Sequence, residues 1–360
     1  MNNHKPRLLI STGGTGGHIF PGIAIAEYLT NHGWHILWIG TDNRMEANLV
    51  PKYNIAIEFI RFSSFRGKNV KNFFYVISLA VKAIFQTCNI INIWKPDVVL
   101  GMGGYVSGPC ILAAWILRIP ILIHEQNAIA GLTNRLLAIF AKKRLQAFPG
   151  VLKKAIVVGN PIRYKIRLLP HPQIRFLNRK NNSLRVLILG GSQGSYILNK
   201  IIPELAMIMG KKITLWHQVG KESLYKIKKN YQNIYNTKYY RITEFIEDIA
   251  EAYAWADIVI CRAGALTVSE ISAVGIAAIF VPFNHRDKQQ YLNALPLKKI
   301  GAANILEEKN FSATIVAKIL TTFNRKKLLR MAVLARTLAI VDSTERVASA
   351  ISYVVNSSAK

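Results

Sequence analysis

The sequence predicts an α/β protein with two Rossmann-like domains whose parallel sheets face each other across a cleft. Short runs rich in Ile, Val and Leu alternate with helix-length segments along the 360 residues, as expected for parallel strands covered on both faces. A glycine-rich loop follows the first strand of each half. At about 100–200 residues per domain, the length also fits two domains.

The apolar runs predict a set of strands in each half, because each run is short and is bounded by polar or glycine-containing segments. Those of the first half are Arg7–Ser11, His35–Gly40, Ile55–Ile60, Val98–Gly101, Ile119–His124, Arg144–Ala147 and Ala155–Val158. Those of the second half are Leu184–Gly190, Ile213–Val219, Tyr239–Thr243, Asp257–Cys261, Ala277–Val281 and Ala302–Ile305.

The boundary between the domains is expected near Gly159–Ser183, where Asn160-Pro161 interrupts regular structure. Leu168–Asn182, with its prolines and a polar Arg-Lys-Asn-Asn run, has the composition of a linker. We therefore expect a first domain over 1–163, a second over 164–342 and a final helix over 343–360. Packing of that helix on the first domain is one placement that the sequence allows.

The chain is strongly basic, since 47 Lys and Arg against 19 Asp and Glu give a formal charge of +28. Such a charge favours a polyanionic partner, either nucleic acid or an anionic membrane surface. A general drift of composition toward Lys, Ile and Asn is the alternative explanation. The three cysteines form neither a disulfide framework nor a metal-binding pair, which fits a reducing cytoplasm.

No segment of the sequence is expected to cross a membrane. The longest apolar stretches are Phe73–Phe85, Cys110–Ile123 and Ile271–Phe283, and each falls short of the ~18–20 residues of a spanning helix. Leu8–Ile10 is too short for the core of a signal peptide. The sequence therefore predicts a soluble or peripheral protein.

Three glycine-rich loops follow predicted strands: Gly13–His18, Gly101–Gly108 and Gly190–Ser195. Glycines let the backbone turn tightly, and the N–H groups at the start of the next helix bind phosphate. No loop matches a dinucleotide-binding or P-loop pattern in full, and a single such loop is as often a packing feature. Together the loops favour a phosphate-bearing ligand.

Polar side chains lie beside these loops at the carboxyl ends of strands, where open α/β sheets bind ligands. His18 is placed for proton transfer, with an ordinary surface histidine as the alternative. His124–Asn127 would contact a ligand or stabilise its own loop, and Glu270 would hold a ribose diol or serve as a helix-start acid. Pro282–Gln290 is rich in amides that suit sugar hydroxyls.

The sequence lacks the usual metal-binding motifs. No two aspartates stand at i, i+2, and the histidine spacing gives no zinc site. We therefore expect neither a metal nor a cofactor, and backbone N–H groups and a helix dipole would meet the charge of a departing phosphate.

The segment Asn72–Trp94 is predicted to be a helix that is apolar all round, whereas a surface helix normally keeps one apolar stripe. Basic residues flank it, and Trp115 on another apolar helix would join the same patch. Such a surface suits insertion into an anionic leaflet, and a fully buried helix is the alternative. The residues expected to contact the membrane are Phe73, Phe74, Ile77, Phe85, Lys71 and Lys82.

A series of motifs stands in order along both halves. They are Gly13–His18 (GGTGGH), Gly101–Gly108 (GMGGYVSG), His124–Asn127 (HEQN), Gly159–Pro161 with Arg163, Gly190–Gly194 (GGSQG), Ala265–Glu270 (ALTVSE) and Gln289-Gln290. Together they resemble the motifs of the MurG family of peptidoglycan N-acetylglucosaminyltransferases.

The resemblance implies a GT-B glycosyltransferase fold and an inverting transfer of N-acetylglucosamine from UDP-N-acetylglucosamine without a metal. The implied acceptor is the C4 hydroxyl of the N-acetylmuramoyl unit of undecaprenyl-linked lipid I, and the implied products are lipid II and UDP. The implied location is the cytoplasmic face of the inner membrane, as a peripheral protein. Cell-wall synthesis and division proteins are implied partners.

The resemblance also implies roles for individual residues. Glu270 would hold the ribose, Ile246 the uracil through its backbone, and Ser192 and Arg163 the nucleotide region. His18 would be the catalytic base, with a positioning role as the alternative. The donor contacts would be Thr15, Gly16, Gly17, Asn127, Arg163, Ser192, Ile246, Ala265, Leu266, Thr267, Val268, Ser269, Glu270 and Gln290. The acceptor pyrophosphate would contact Gly13, Gly14, Gly103 and Gly104.

Other functions share parts of this pattern. Another UDP-sugar GT-B enzyme or a UDP-N-acetylglucosamine 2-epimerase would have the glycine loops, but an epimerase needs no lipid-facing surface. A basic nucleic-acid-binding protein would account for the charge, but the aromatic residues lie within apolar runs and no recognition module is present. We therefore expect no nucleic acid partner.

Overall fold

A computed structural model of the chain describes residues 5–62, 73–177, 179, 183–191, 193–221, 223–232 and 239–358, without the side chains of 73–76 and 232. The chain divides into two compact units. The first comprises Met1–Arg163 together with Ile340–Lys360, and the second is Tyr164–Ala339.

The first unit is built on a parallel sheet. Its strands are β1 (Arg7–Ser11), β2 (His35–Gly40), β3 (Ala56–Phe59), β4 (Val98–Gly101), β5 (Ile121–Glu125), β6 (Lys143–Gln146) and β7 (Ile156–Val157). The seven strands are ordered β3-β2-β1-β4-β5-β6-β7, so the carboxyl ends of β1, β4 and β5 are neighbours. The helices are α1 (Gly16–Asn31), α2 (Met45–Leu49), α3 (Phe73–Trp94), α4 (Ser107–Ile116), α5 (Leu132–Leu137) and the carboxyl-terminal α15 (Ser343–Ser358).

The second unit repeats this plan. Its strands are β8 (Leu184–Leu189), β9 (Ile213–Gln218), β10 (Tyr240–Thr243), β11 (Ile258–Cys261), β12 (Ala277–Phe280) and β13 (Ala303–Ile305). The six strands are parallel and ordered β10-β9-β8-β11-β12-β13. The helices are α6 (Tyr164–Arg167), α7 (Pro172–Leu177), α8 (Tyr196–Met209), α9 (Leu224–Gln232), α10 (Ile249–Trp255), α11 (Ala265–Val274), α12 (Gln289–Lys299), α13 (Ala313–Thr321) and α14 (Arg325–Thr337).

The predicted fold class, α/β with two Rossmann-like units, is confirmed. Each strand expected from an apolar run is found among the described residues, with small differences at the ends. The largest difference is β5, which begins at Ile121 and not at Ile119. Pro120 explains it, because proline has no N–H to donate to a neighbouring strand.

The segment with linker composition is folded onto the second unit over its described residues. Pro172–Leu177 forms α7, and the guanidinium of Arg175 donates to the carbonyl oxygens of Val274 and Gly275 at the end of α11. Arg179 does the same at the end of α10. Cations are favoured at the carboxyl ends of helices, so these polar residues hold secondary structure where a free linker was predicted.

The carboxyl-terminal helix packs on the first unit. Val347, Ile351 and Val354 of α15 are buried in the same apolar cluster as residues of α1 and the central strands. Near the start of α15, the hydroxyl of Ser343 donates to the carbonyl oxygen of Asn160 at 2.6 Å. The last helix of the chain therefore completes the core of the first unit.

Helix α3 corrects two expectations. The segment Ile77–Trp94 of this helix is long and apolar enough to cross a membrane, judged by length and composition alone. The expected apolar stretch ended at Phe85, but the helix continues to Trp94. Only 17% of this window is buried, so the fully buried alternative is wrong. The buried residues Ala83, Thr87 and Ile91 recur at four-residue intervals and form the single face that packs inward.

Candidate functional site

In the first unit, two glycine loops are tied together by buried hydroxyl groups at the carboxyl ends of β1 and β4. Thr12 donates from Oγ1 to the carbonyl oxygen of Gly103 at 3.2 Å. Ser107 Oγ lies 2.7 Å from the carbonyl oxygens of both Gly103 and Ser11. Because β1 and β4 are adjacent strands, the loops Gly13–His18 and Gly101–Gly108 form one surface.

The start of α1 offers backbone donors to an anion. Thr15 is the N-cap, and the N–H groups of His18 and Ile19 turn back to its carbonyl oxygen at 3.0 and 3.2 Å. Within the described part of the chain, the N–H groups of Gly16 and Gly17 have no acceptor, and the first turn carries no acid. Unpaired N–H groups at the positive end of a helix dipole bind phosphate without a cationic side chain.

A buried carboxylate that the sequence analysis missed lies beneath this loop. Glu46 on α2 is fully buried and accepts the N–H of Gly14 at 3.0 Å. It also accepts the N–H and the hydroxyl of Thr41, at 3.2 and 2.8 Å. A Cβ on Gly13 would collide with its Oε1. Gly14, an expected pyrophosphate contact, therefore already donates its N–H to the protein interior.

His18 is anchored through one ring nitrogen. Its Nδ1 lies 3.1 Å from the carbonyl oxygen of Met102 and 2.9 Å from Oε1 of Gln126. The residue is half-buried, and its Nε2 has no hydrogen-bond partner among the residues that the structure describes. A histidine with one nitrogen anchored and the other open has the arrangement of a general base.

The first two residues of the HEQN motif are structural. His124 is fully buried with Nε2 at 2.9 Å from the carbonyl oxygen of Gly159, and burial lowers its pKa to about 4. Glu125 is buried and accepts the N–H groups of Asn127 and Gly131 at 2.9 and 3.0 Å. The loop-stabilising alternative therefore describes these two side chains.

The two remaining donor-contact residues of this unit differ in their surroundings. Asn127 is half-buried directly after the motif's buried residues, with its Nδ2 at 3.2 Å from Glu125 Oε1. Arg163, the last residue before the second unit, places its guanidinium 4.4 Å from the ring centre of Phe20 on α1. The stacking holds the cation beside the helix start that offers the open N–H groups.

In the second unit, close backbone packing shapes the loop after β8. The N–H of Gly194 donates to the carbonyl oxygen of Gly191 at 3.0 Å, and the Nε2 of Gln218 donates to the same oxygen at 2.9 Å. A Cβ on Gly194 would collide with the carbonyl oxygen of Val219. The expected nucleotide contact Ser192 lies outside the described residues.

The expected donor contacts Ala265–Glu270, with Glu270 expected at the ribose, form the first turns of α11, which begins after Gly264 and has no acid in its first turn. Glu270 is buried and accepts the hydroxyl of Tyr253 at 3.1 Å through Oε2. The motif's small and apolar residues are buried, and Thr267 and Ser269 are half-buried. The expected uracil contact Ile246 is buried in the loop after β10.

Gln290 links the loops that follow β11 and β12. Its Oε1 accepts the N–H of Phe283 at 2.9 Å and the N–H of Ala263 at 3.3 Å. In the described structure its Nε2 has no hydrogen-bond partner. The side chain therefore has one end fixed and a donor left for a ligand.

Comparison with known proteins decides the family. Glycosyltransferase family 28 N-terminal and C-terminal domain models match residues 8–146 and 185–347. A UDP-N-acetylglucosamine--N-acetylmuramyl-(pentapeptide) pyrophosphoryl-undecaprenol N-acetylglucosamine transferase from Photorhabdus laumondii is 54% identical over 98% of both chains. This chain belongs to the MurG family.

Solved structures agree with this family and with the predicted GT-B fold. The crystal structure of Acinetobacter baumannii MurG is 35% identical, covers 97% of this chain and 99% of its own, and superposes with a TM-score of 0.81. A Listeria monocytogenes structure, provisionally assigned as a UDP-N-acetylglucosamine 2-epimerase, is 12% identical, covers 96% and 95%, and has a TM-score of 0.65. The second similarity shows the fold alone.

The MurG-family motifs thus fall into two groups, one at the strand ends of each unit. Motif matching did not find two of the residues that hold them: Glu46 below the first loop and Tyr253 at Glu270. Each is a single residue of ordinary type that lies far along the chain from its partner. Only the strand order could have pointed to them.

The first unit also exposes apolar side chains on neighbouring helices. On α3, Phe85 is 70% exposed, and Ile77 and Val81 are each 43% exposed at four-residue spacing. On α4, Trp115 is 54% exposed and contacts the ring of Phe140 in a tilted arrangement, with 4.9 Å between ring centres. Lys82 is exposed beside them; Lys71 and the side chains of Phe73 and Phe74 lie outside what the structure describes.

Proposed function

We infer that this chain transfers N-acetylglucosamine from UDP-N-acetylglucosamine to the C4 hydroxyl of the N-acetylmuramoyl unit of lipid I. The products are lipid II and UDP, a step of peptidoglycan synthesis. The observation that carries this conclusion is 54% identity over 98% of the chain to a transferase whose name states donor and acceptor. The site residues at the strand ends of both units suit a phosphate-linked donor and a phosphate-linked acceptor.

His18 acts as the base in the transfer. The C4 oxygen of the acceptor attacks C1 of the donor sugar while the bond from C1 to the UDP oxygen breaks, so the configuration at C1 inverts. The proton of the hydroxyl passes to Nε2 of His18 and then to solvent. The open Nε2 and the anchored Nδ1 support this role.

The second unit binds the donor. The start of α11, whose first turn carries no acid, stabilises the charge that develops on the diphosphate as UDP departs. Glu270, held by the hydroxyl of Tyr253, accepts the ribose hydroxyls, and the backbone of Ile246 contacts the uracil. Gln290 offers its Nε2 to the sugar. The remaining proposed donor contacts of this unit are Ser192 and Ala265 to Ser269.

The first unit binds the acceptor. The pyrophosphate of lipid I lies at the fused glycine loops, against Gly13, Gly14, Gly103 and Gly104, close to the helix start of α1. The positive dipole end and open N–H groups there suit a diester with two negative charges. In the part of the chain that the structure describes, no cluster of His, Cys, Asp and Glu could hold a metal ion.

The exposed apolar face of α3 and α4 rests on the anionic cytoplasmic surface of the inner membrane, where the polyprenyl chain of lipid I is anchored. Phe85, Ile77 and Trp115 enter the interface, and Lys82 meets lipid phosphates. A position in the interface suits α3 better than a span, because β3 and β4 on either side of it belong to one sheet. The net charge of +28 adds attraction to the surface.

Product analysis tests this function. Purified protein is incubated with UDP-N-acetylglucosamine and a lipid I analogue, and both products are quantified. We expect a disaccharide lipid and UDP in equal amounts. UDP without the disaccharide lipid, or UDP-N-acetylmannosamine formed without any acceptor, would contradict the proposed transfer.

A further inference from the structure

Gln126 is a buried glutamine whose side-chain oxygen lies against the ring of His18. It is 1% exposed, and its Oε1 lies 2.9 Å from Nδ1 of His18. The carbonyl oxygen of Met102 approaches the same nitrogen at 3.1 Å. Because both oxygens only accept hydrogen bonds, the ring proton must reside on Nδ1, and Nε2 is left as the basic atom.

The contacts of Gln126 fix its backbone and leave its amide nitrogen unused. The carbonyl oxygen of Gln126 accepts the Nδ2 of Asn160 at 3.1 Å, and the preceding Glu125 is held by several donors. Among the described residues, the buried Nε2 of Gln126 has no hydrogen-bond partner. Among the described residues, the contact of Oε1 with the ring of His18 is therefore the hydrogen bond that this side chain makes.

We propose that Gln126 is a positioning residue for His18: its amide oxygen, with the carbonyl oxygen of Met102, keeps the ring proton on Nδ1 so that Nε2 stays the basic atom. This proposal rests on the proposed function, in which Nε2 takes the proton of the acceptor hydroxyl. The opposite tautomer would set a bare Nδ1 lone pair against two carbonyl oxygens.

The neutral charge of Gln126 matters as well. A carboxylate in its place would also accept from Nδ1, but its negative charge would favour the cationic form of the ring. An amide orients the ring without placing a charge beside it. The charged and titratable groups near His18 and Gln126 include Glu46, Tyr105, His124, Glu125 and Arg163, and all are the same in the variants below.

The first test is a direct measurement of the tautomer. The full-length protein is labelled with ¹⁵N-histidine, and the His18 signal is assigned by its loss in His18→Ala. We expect the Nδ1–H tautomer in the wild type and a mixture of tautomers in Gln126→Met, which keeps the side-chain length but removes the acceptor. Unchanged tautomer populations in folded Gln126→Met would overturn the proposal.

The second test is the pH dependence of kcat. In Gln126→Glu we expect the acid limb that His18 produces to move up by about one pH unit. In Gln126→Met we expect kcat to fall by about tenfold while the KM for UDP-N-acetylglucosamine stays within about twofold, because the base and not the donor site is disturbed. If the acid limb of the pH profile of kcat does not move in Gln126→Glu, Gln126 has only a structural role.

Gln146 provides the matched control. It is also a buried glutamine of the first unit, and its Oε1 accepts the N–H groups of Val151 and Leu152 at 3.1 and 2.8 Å. Gln146→Glu should lose stability without moving the acid limb. If the wild-type limb persists in His18→Ala, the proposed base is wrong, and the tautomer measurement still decides the role of Gln126.

Discussion

Gly104 lies directly against Gly13, so the two glycine loops of the first unit are pressed together. A Cβ added to Gly104 would lie 2.6 Å from the carbonyl oxygen of Gly13, and its φ of +79° is one that residues with side chains rarely adopt. The neighbouring Gly103 packs on the ring of His18, since a Cβ there would lie 3.4 Å from Cε1. The spacing of the loops therefore sets the place of the proposed base.

Gly104→Ala tests this relationship. The added methyl group would push the loops apart and shift His18, so we expect kcat to fall by at least ~10-fold. Gly108→Ala in the same motif is the control, because a Cβ at Gly108 would meet nothing within 4 Å. The assay is steady-state transfer to a lipid I analogue, and equal activity of the two variants would contradict the expectation.

Glu46→Gln tests the buried carboxylate under the first loop. A glutamine cannot accept from Gly14 and from both donors of Thr41 at once, because one of its two terminal atoms is a donor. We expect the free energy of unfolding to fall by about 1–3 kcal/mol, measured by urea denaturation. Glu58→Gln, at an exposed position on β3, should leave stability unchanged, and a similar loss in both variants would argue against this role.

Tyr253→Phe tests the support of the proposed ribose contact. The substitution removes the hydroxyl that donates to Glu270 at 3.1 Å and leaves the ring in place. Since a hydrogen bond to a charged group contributes about 1.5–3 kcal/mol, we expect the KM for UDP-N-acetylglucosamine to rise roughly tenfold. The control is Tyr240→Phe, whose hydroxyl donates to the carbonyl oxygen of Ala206. An unchanged KM for UDP-N-acetylglucosamine in Tyr253→Phe would contradict the proposed contact between Glu270 and the donor.

Two buried histidines predict a loss of stability in mild acid. Burial lowers the pKa of His124 to about 4 and that of His217 to about 3, from 6.5. Below pH 6.5 these histidines bind protons in the unfolded chain but stay neutral in the folded chain. The free energy of unfolding therefore falls as the pH drops from 6.5 toward the pKa values of the folded state. The expected loss is about 2 kcal/mol per histidine at about pH 5.

Urea unfolding near pH 7.5 and near pH 5 measures this dependence. His217→Gln should reduce the difference between the two pH values, because it removes one buried titrating group. The exposed His32 supplies the comparison, and His32→Gln should leave the difference as it is in the wild type. An unaltered difference in His217→Gln would show that its burial does not set the acid response.

The exposed face of α3 predicts binding to anionic vesicles. Phe85→Ser and Ile77→Ser remove large apolar side chains from this face, so each should weaken vesicle binding by about tenfold in a sedimentation assay. Leu177→Ser removes a still more exposed apolar side chain from the second unit, and this variant should bind vesicles as the wild type does. Transfer to a water-soluble acceptor should be the same in all three, and vesicle binding that is undiminished in Phe85→Ser would contradict the proposed surface.

Helix α3 shows what a sequence pattern does not determine. Helix α3 is apolar all round in the sequence, and periodicity alone could not separate a buried helix from an exposed one. Tertiary packing determines which face is buried, since only the face of Ala83, Thr87 and Ile91 contacts the core. The segment Leu168–Asn182 is a second case. Its polar composition is typical of a linker, but Arg175 and Arg179 within it donate to carbonyl oxygens at the ends of α11 and α10.

The sequence by itself determined the strands, the glycine loops and the family, because apolar runs and tight turns are local properties that a few adjacent residues specify. The tertiary structure alone decided which distant residues meet: Glu46 with Gly14, and Gln126 with His18 at a separation of 108 residues. Those contacts follow from the order of strands in the sheet, which sets β1, β4 and β5 side by side. Strand order depends on how the whole core closes, and no short stretch of sequence encodes it.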